Sequence, residues 1–187
     1  MSLRIIGGQF KGRILKTPKG SETRPTQGML RESVFNICQH VIQGARFLDL
    51  FAGSGAMGLE AISRGASHAT FIEKDKRAIA SIRDNIALLQ AGSQVSLICL
   101  DAKTALGKIS GPFDVIYIDP PYNIPTAPYI EEILERKLLA PNAILFIEER
   151  SRPNPTSPQF AGLAFIGMRR FGEALLHQYR FSNITES

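Results

Sequence analysis

The sequence predicts an α/β protein built on a mostly parallel, seven-stranded sheet. A small N-terminal hairpin-and-helix extension precedes the sheet, and an antiparallel C-terminal hairpin closes it. Three observations predict this. From Arg46 onward, short apolar runs rich in Phe, Ile, Leu and Val alternate with segments of helical period. The strand runs are apolar on both sides, as in parallel strands covered by crossover helices on each face. After residue 150 the alternation stops, and two strand-like runs follow with a glycine between them.

The elements follow in order. "RIIGGQFKGRIL" reads as two short strands joined by a glycine-containing turn. In "PTQGMLRESVFNICQHVI", Thr26 is placed to cap a helix, with Met29 or Leu30, Val34, Ile37 or Cys38, and Val41 at helical spacing. Then come strand "RFLDLF", helix "AMGLEAISRG" stopped by Gly65, strand "HATFIE", helix "KRAIASIRDNIALLQ" and strand "VSLICL". A short helix near "AKTALGK" leads to strand "FDVIYI", helix "TAPYIEEILERKLL" and strand "AILFIEE". "SRPNPTSPQF" has three prolines and reads as a loop, and "LAFIGMRRFGE" with "ALLHQYRF" forms the hairpin. The organisation is thus a basic extension over residues 1–45 and an α/β domain over 46–187.

The 187 residues, 44% of them hydrophobic, suffice for one domain with a substantial core. No apolar run is long enough to cross a bilayer, and no secretory leader is visible, so a cytoplasmic setting is expected. Cys38 and Cys99 have neither disulfide nor metal spacing and read as small core residues. His40, His68 and His177 have no metal spacing either and read as helix-end or surface residues; no metal is expected. The chain holds 22 Lys and Arg against 17 Asp and Glu, but residues 1–46 carry eight basic residues and only two acids. The whole positive excess therefore lies in the first quarter. Such asymmetry suits a phosphate backbone, and it equally suits a solvated extension.

"LDLFAGSGAMGLEA" follows a strand and opens a helix. Gly53, Gly55 and Gly58 satisfy the dinucleotide-binding spacing, which alone is weak and also describes a tight turn that binds nothing. Asp49, at the strand end before the loop, would repel a diphosphate but could accept a hydrogen bond from an ammonium group. S-adenosylmethionine has such an ammonium and no phosphate. Glu73 ends the next strand, where a carboxylate can bind both ribose hydroxyls. Asp101 ends the third, placed either for an adenine amino group or as a helix cap before "AKTALGK". With Asp119, four successive strand ends carry acids facing one crevice.

"FDVIYIDPPYN" ends a buried strand in a stiff polar tip. The Pro120-Pro121 pair makes a rigid turn, which frees the Pro120 carbonyl to point into a cavity beside the Asp119 carboxylate. Tyr122 offers a flat face on which a planar base can stack. Two acceptors and a stacking wall suit a conjugated exocyclic amine. Such an amine shares its lone pair with the ring, and the acceptors can tilt it toward tetrahedral geometry. Phe113 and Tyr117 read as core.

These residues resemble the class I S-adenosylmethionine-dependent methyltransferases that methylate amino groups. "RIIGGQFKGR", "TRPTQGMLRESVFN", "LDLFAGSGAMGLEA", "FIEKD", "DVIYIDPPY" and "RRFGEALLHQY" resemble, in order, the bacterial RsmD family over nearly the whole chain. The resemblance implies a Rossmann-like class I methyltransferase fold. It also implies methylation of a guanine N2 amine in 16S ribosomal RNA, within an assembled or partly assembled small ribosomal subunit. It places Asp49, Gly53, Gly55, Glu73 and Asp101 at S-adenosylmethionine, and Asp119, Pro120 and Tyr122 at the target guanine. Pro121, Arg24, Arg31, Lys11 and Arg13 fall on the substrate side. Gly28 and Met29 depart from the polar or basic residues expected there. Two other readings use parts of the same pattern. A DNA adenine-N6 or cytosine-N4 methyltransferase would use the same tip, but needs more recognition surface to flip a base. A nicotinamide-dependent oxidoreductase would use the glycine loop and leave the tip unexplained.

Overall fold

The computed structural model describes residues 2–18, 25–121, 123–153, 155 and 157–182. Helix α1 (Pro25–Cys38) precedes the alternating core of β1 (Arg46–Leu50), α2 (Ala56–Ser63), β2 (His68–Ile72), α3 (Lys76–Leu89) and β3 (Val95–Ile98). It continues through α4 (Ala102–Leu106), β4 (Phe113–Ile118), α5 (Ala127–Glu135) and β5 (Leu139–Arg150) to the hairpin of β6 (Leu163–Phe171) and β7 (Ala174–Phe181). The seven strands lie in the order β3-β2-β1-β4-β5-β7-β6. Those from β3 to β5 pair in parallel, and β7 pairs antiparallel with both β5 and β6. The chain steps outward from β1 to β3, then restarts on the other side of β1 with β4. This reversal opens a crevice beyond the C-terminal ends of β1 and β4, where open α/β sheets bind ligands.

The apolar strands are buried on both faces because their side chains alternate between two cores. Phe47, Phe71, Val115, Tyr117 and Phe146 face one core with Phe35 of α1, Leu59 of α2 and Ile82 of α3. Leu48, Ile116, Ile118, Leu145 and Ile147 face the other with Leu106 of α4 and Ile130 and Ile133 of α5. The first core also takes Leu3, Ile5, Leu15, Leu30 and Val34, so the segment before Arg46 shares its packing with the sheet.

Four expectations change. The N-terminal hairpin shrinks to one antiparallel bridge between Arg4 and Ile14. The Ile5 N–H and Leu15 N–H groups bond across it to the Arg13 and Leu3 carbonyls, while the Glu60 carboxylate of α2 takes the Ile6 and Gly7 N–H groups at 2.8 and 2.7 Å. Thr26 lies inside α1 rather than capping it, because the helix already starts at Pro25, a residue whose fixed φ suits the first turn. Of the two thiols only Cys38 is core; Cys99 is exposed. Burial pushes the Cys38 thiol up to about 12. His177 is not a surface residue: it sits in β7, 1% exposed, between Glu149 and Ser157. Among the described residues no helix is long and apolar enough to cross a membrane. No His, Cys, Asp and Glu cluster among them could hold a metal ion.

Candidate active site at the ends of β1, β4 and β5

Asp49 points from β1 to the start of α2, where its Oδ2 accepts the Gly58 N–H at 3.0 Å. It is 2% exposed, and burial pushes its carboxyl up to about 7. The Gly58 N–H opposes that rise and the nearby Glu73 adds to it. The loop between Asp49 and α2 turns through positive φ at Phe51, Gly53 and Gly55. Gly58 serves packing: a Cβ there would lie 2.3 Å from the Phe71 ring. Glu73 clamps this loop to the next one. Its Oε2 accepts from the Gly53 N–H at 2.8 Å, and its Oε1 accepts from the Lys74 and Asp75 N–H groups, both at 2.8 Å. Asp101 caps α4 through the Lys103 N–H at 3.1 Å and faces Lys74 Nζ at 3.3 Å. Of its two anticipated places the structure shows the helix cap, while the neighbouring cavity is lined by Leu100 and Ala102 on either side of it.

Asp119 follows β4, and its N–H reaches the Leu50 carbonyl of β1 at 3.4 Å. Burial holds its carboxyl well above the usual range, and Glu148 and then Asp49 push it further. Pro120 is buried and Pro121 exposed. Glu148 stands at the end of β5, 9% exposed, and the buried Tyr117 hydroxyl donates to its Oε2. Burial raises the Glu148 carboxyl as well. One crevice thus gathers three carboxyls raised by burial, an arrangement that favours cations and hydrogen-bond donors and resists anions.

Three adjoining cavities surround these groups. One of about 420 Å³ runs past Glu73, Asp75, Leu100, Ala102, Asp119 and Pro120. A second of about 230 Å³ lies under α1 against Asp49, Gly53, Ser54, Asp119 and Glu148. A third of about 550 Å³ opens on the outer side of the tip, along Pro120, Pro121, Ile124, Thr126 and Glu148. Gln27 of α1 borders the first two.

The structure brings Asp49, Gly53, Glu73, Asp119, Pro120 and Pro121 to these cavities. Arg24 and Tyr122 lie outside the described residues. Arg31 is not an outward-facing contact: it is 5% exposed, donates to the Arg4 carbonyl at 2.8 Å and lies 3.5 Å from Glu60. It borders the second cavity from the inside. Lys11 and Arg13 are exposed on the N-terminal turn, away from the cavity linings. Sequence reasoning missed Glu148, Gln27 and the hydroxyl of Tyr117. The only sequence signal for Glu148 was an acid pair, Glu148-Glu149, near the end of the fifth strand, as Asp49, Glu73, Asp101 and Asp119 lie near the ends of the other four.

The sheet order, the switch point and the acid-lined crevice define the Rossmann-like fold of class I methyltransferases. The structure of the Podospora anserina methyltransferase PaMTH1, solved with S-adenosylhomocysteine, shares this fold with TM-score 0.68 at 16% identity, over 87% of this chain and 80% of that one. The solved yhhF protein of Escherichia coli is much more similar: TM-score 0.86 and 34% identity, covering 97% of this chain and 99% of that one. A family profile described as conserved hypothetical protein 95 matches residues 3–180, and the chain belongs to that family, the RsmD family. Among curated relatives, the ribosomal RNA small subunit methyltransferase D of Escherichia coli strain K12 is 39% identical over 158 residues, 83% of this chain and 79% of its own length.

Proposed function

We propose that the chain is an S-adenosylmethionine-dependent ribosomal RNA methyltransferase that methylates the exocyclic N2 amine of a guanine in 16S ribosomal RNA. Its substrate is an assembled or partly assembled small ribosomal subunit, which places the reaction in the cytoplasm. The observation that carries this reading is the meeting of the Asp119–Pro120 tip with the buried Asp49 at the β1/β4 switch point. The name of the Escherichia coli relative supports an RNA substrate.

The residues fit the cofactor. A buried carboxyl pushed up to about 7 is poor company for a diphosphate and good company for an ammonium, which argues against a nicotinamide dinucleotide. Asp49 takes the ammonium, and Gly53 and Gly55 let the loop backbone approach closely. Glu73 has one acceptor site left, on Oε2, after its three N–H bonds, and it accepts from a ribose hydroxyl. Asp101 accepts from the adenine amino group. When bound, the cofactor supplies an electrophilic methyl group on a sulfonium.

The chain's own residues then prepare the amine. The Asp119 carboxylate and the Pro120 carbonyl accept its two hydrogens and turn its lone pair out of conjugation, so positioning supplies much of the rate. No strong base is needed, because nitrogen becomes acidic once the N–C bond has formed. Asp119, its carboxyl well above the usual range, is suited to receive the released proton. Tyr122 stacks on the base, and Pro121 shapes the mouth. Lys11, Arg13 and Arg24 lie against phosphate backbone, while Arg31 braces the cavity wall from within.

The test is incubation with labelled cofactor and unmodified small subunits, followed by mapping of the modified nucleotide. A single N2-methylguanine in 16S RNA is expected. No label in the RNA, or label on any other base or atom of it, overturns the reading, and a parallel incubation with DNA that labels an adenine or cytosine would favour the DNA alternative.

A further inference from the structure

Among the described residues, Glu148 alone borders all three cavities of the crevice. It follows Ile147, which pairs in register with Ile118, so it stands beside Asp119 across the β4–β5 ladder. A buried carboxylate is costly unless something holds it. Here the Tyr117 hydroxyl, itself buried on β4, donates to Oε2. Oε1 has no hydrogen-bond partner among the described residues. The group is thus held through one oxygen where the three cavities meet.

An acceptor beside the amine holder reads the atom next to the target amine. Beside the N2 amine of guanine lies N1–H, a donor. Beside the N6 amine of adenine lies N1, and beside the N4 amine of cytosine lies N3; both are bare acceptors. We propose that Glu148 is a specificity-determining residue that accepts the N1–H of the target guanine, with Tyr117 as its positioning residue. Three acceptors then meet three donor hydrogens on one base edge: Asp119, the Pro120 carbonyl and Glu148. Adenine or cytosine sets the carboxylate against a ring-nitrogen lone pair and leaves a buried acid unpaired, so the wrong base is rejected by repulsion as well as by a lost bond. The inference rests on the guanine-N2 reading above.

The test uses the full-length protein and small subunits reconstituted with 16S RNA carrying guanosine or 2-aminopurine riboside at the mapped position. 2-Aminopurine keeps the amine but replaces N1–H with a bare nitrogen. The wild-type protein is expected to favour guanosine by roughly ten- to a hundred-fold in kcat/KM, the range for one bond to a charged acceptor. In Glu148→Gln the amide can turn its NH₂ toward the bare nitrogen, so the preference should fall to a few-fold or invert. Tyr117→Phe should weaken it partly. S-adenosylmethionine binding within a few-fold of wild type checks that each variant is folded. Should Glu148→Gln not fold, Tyr117→Phe carries the comparison alone. Equal loss on both substrates, with the preference unchanged, overturns the proposal and leaves Glu148 a structural acid. If the wild type itself methylates no guanosine, the guanine reading has failed, and that is seen before any variant is compared.

Discussion

Asp49, Asp119 and Glu148 sit where an isolated negative charge is expensive, and each responds by holding its proton more tightly than usual. The sign of the consequence is fixed. Between the ordinary aspartate range and about 7, the folded protein keeps a proton on Asp49 that the unfolded chain has released. Stability of the ligand-free protein therefore falls as pH rises through that window, and Asp119 and Glu148 act in the same direction. A cationic ligand pulls the other way. Calorimetric affinity for S-adenosylmethionine should climb with pH and level off above about 7, with protons released on binding below it. A flat profile would refute the pairing of Asp49 with an ammonium. At the tip, Asp119→Ala should abolish methyl transfer in a labelled-subunit assay while leaving cofactor affinity within a few-fold. Asp119→Asn, which keeps an acceptor oxygen, should retain more turnover than the alanine variant. Asp119 stood out in the sequence because a Pro-Pro pair after a buried strand has few purely structural uses. Glu148 did not, because "EE" at a strand end looks like solvated charge, and only the pairing of β5 beside β4 shows which acid turns inward.

At the level of elements, α2 holds the molecule's halves together. Its Glu60, wholly buried, receives the Ile6 and Gly7 N–H groups and the Arg64 guanidinium, with Arg31 beside it. Removing one partner of a buried charge pair strands the other, so Glu60→Ala should cost about 3–5 kcal/mol in urea unfolding. It should also loosen residues 2–10 to proteolysis. On the same helix, Gly58→Ala forces a methyl against the Phe71 ring at 2.3 Å, and a destabilisation of about 1–3 kcal/mol is expected by the same measurement. The helices and strands from residue 46 onward were legible because period and burial agree along them: "FDVIYI" is buried on both faces as its composition demands. The N-terminal segment was not. Its glycines and alternating apolar residues describe a hairpin, and Ile5 and Leu15 do bond across one, but the tertiary position of Glu60 captures the Ile6 and Gly7 N–H groups. His177 was misplaced for a similar reason, since a strand's outer face and its buried face look alike when two helices or a loop can cover either.

For the whole molecule, charge and shape separate the two ligands. The acid-lined crevice suits a small cation, and the exposed Lys11 and Arg13 offer a basic turn at the surface. Lys16 is less available, because it pairs with Asp84 at 2.8 Å. Neutralising Lys11 and Arg13 should weaken binding to small subunits and reduce the slope of log affinity against log salt by about one per lost phosphate contact. Adding Lys16→Gln should change little more. An unchanged slope would leave the turn a solvated extension, the alternative its composition equally allowed.

The order of strands has a further consequence. β7 follows β6 in sequence, yet it is wedged between β5 and β6 and seals the flank of the strand that carries Glu148. Without residues from Ala174 on, the glycine loop, Asp119 and the Tyr117 hydroxyl that holds Glu148 are all in the chain, but the other side of β5 is a raw edge. Loss of the ribbon from Ala174 onward would leave that flank of β5 unpaired, while the strands beside the glycine loop and Asp119 keep their own partners.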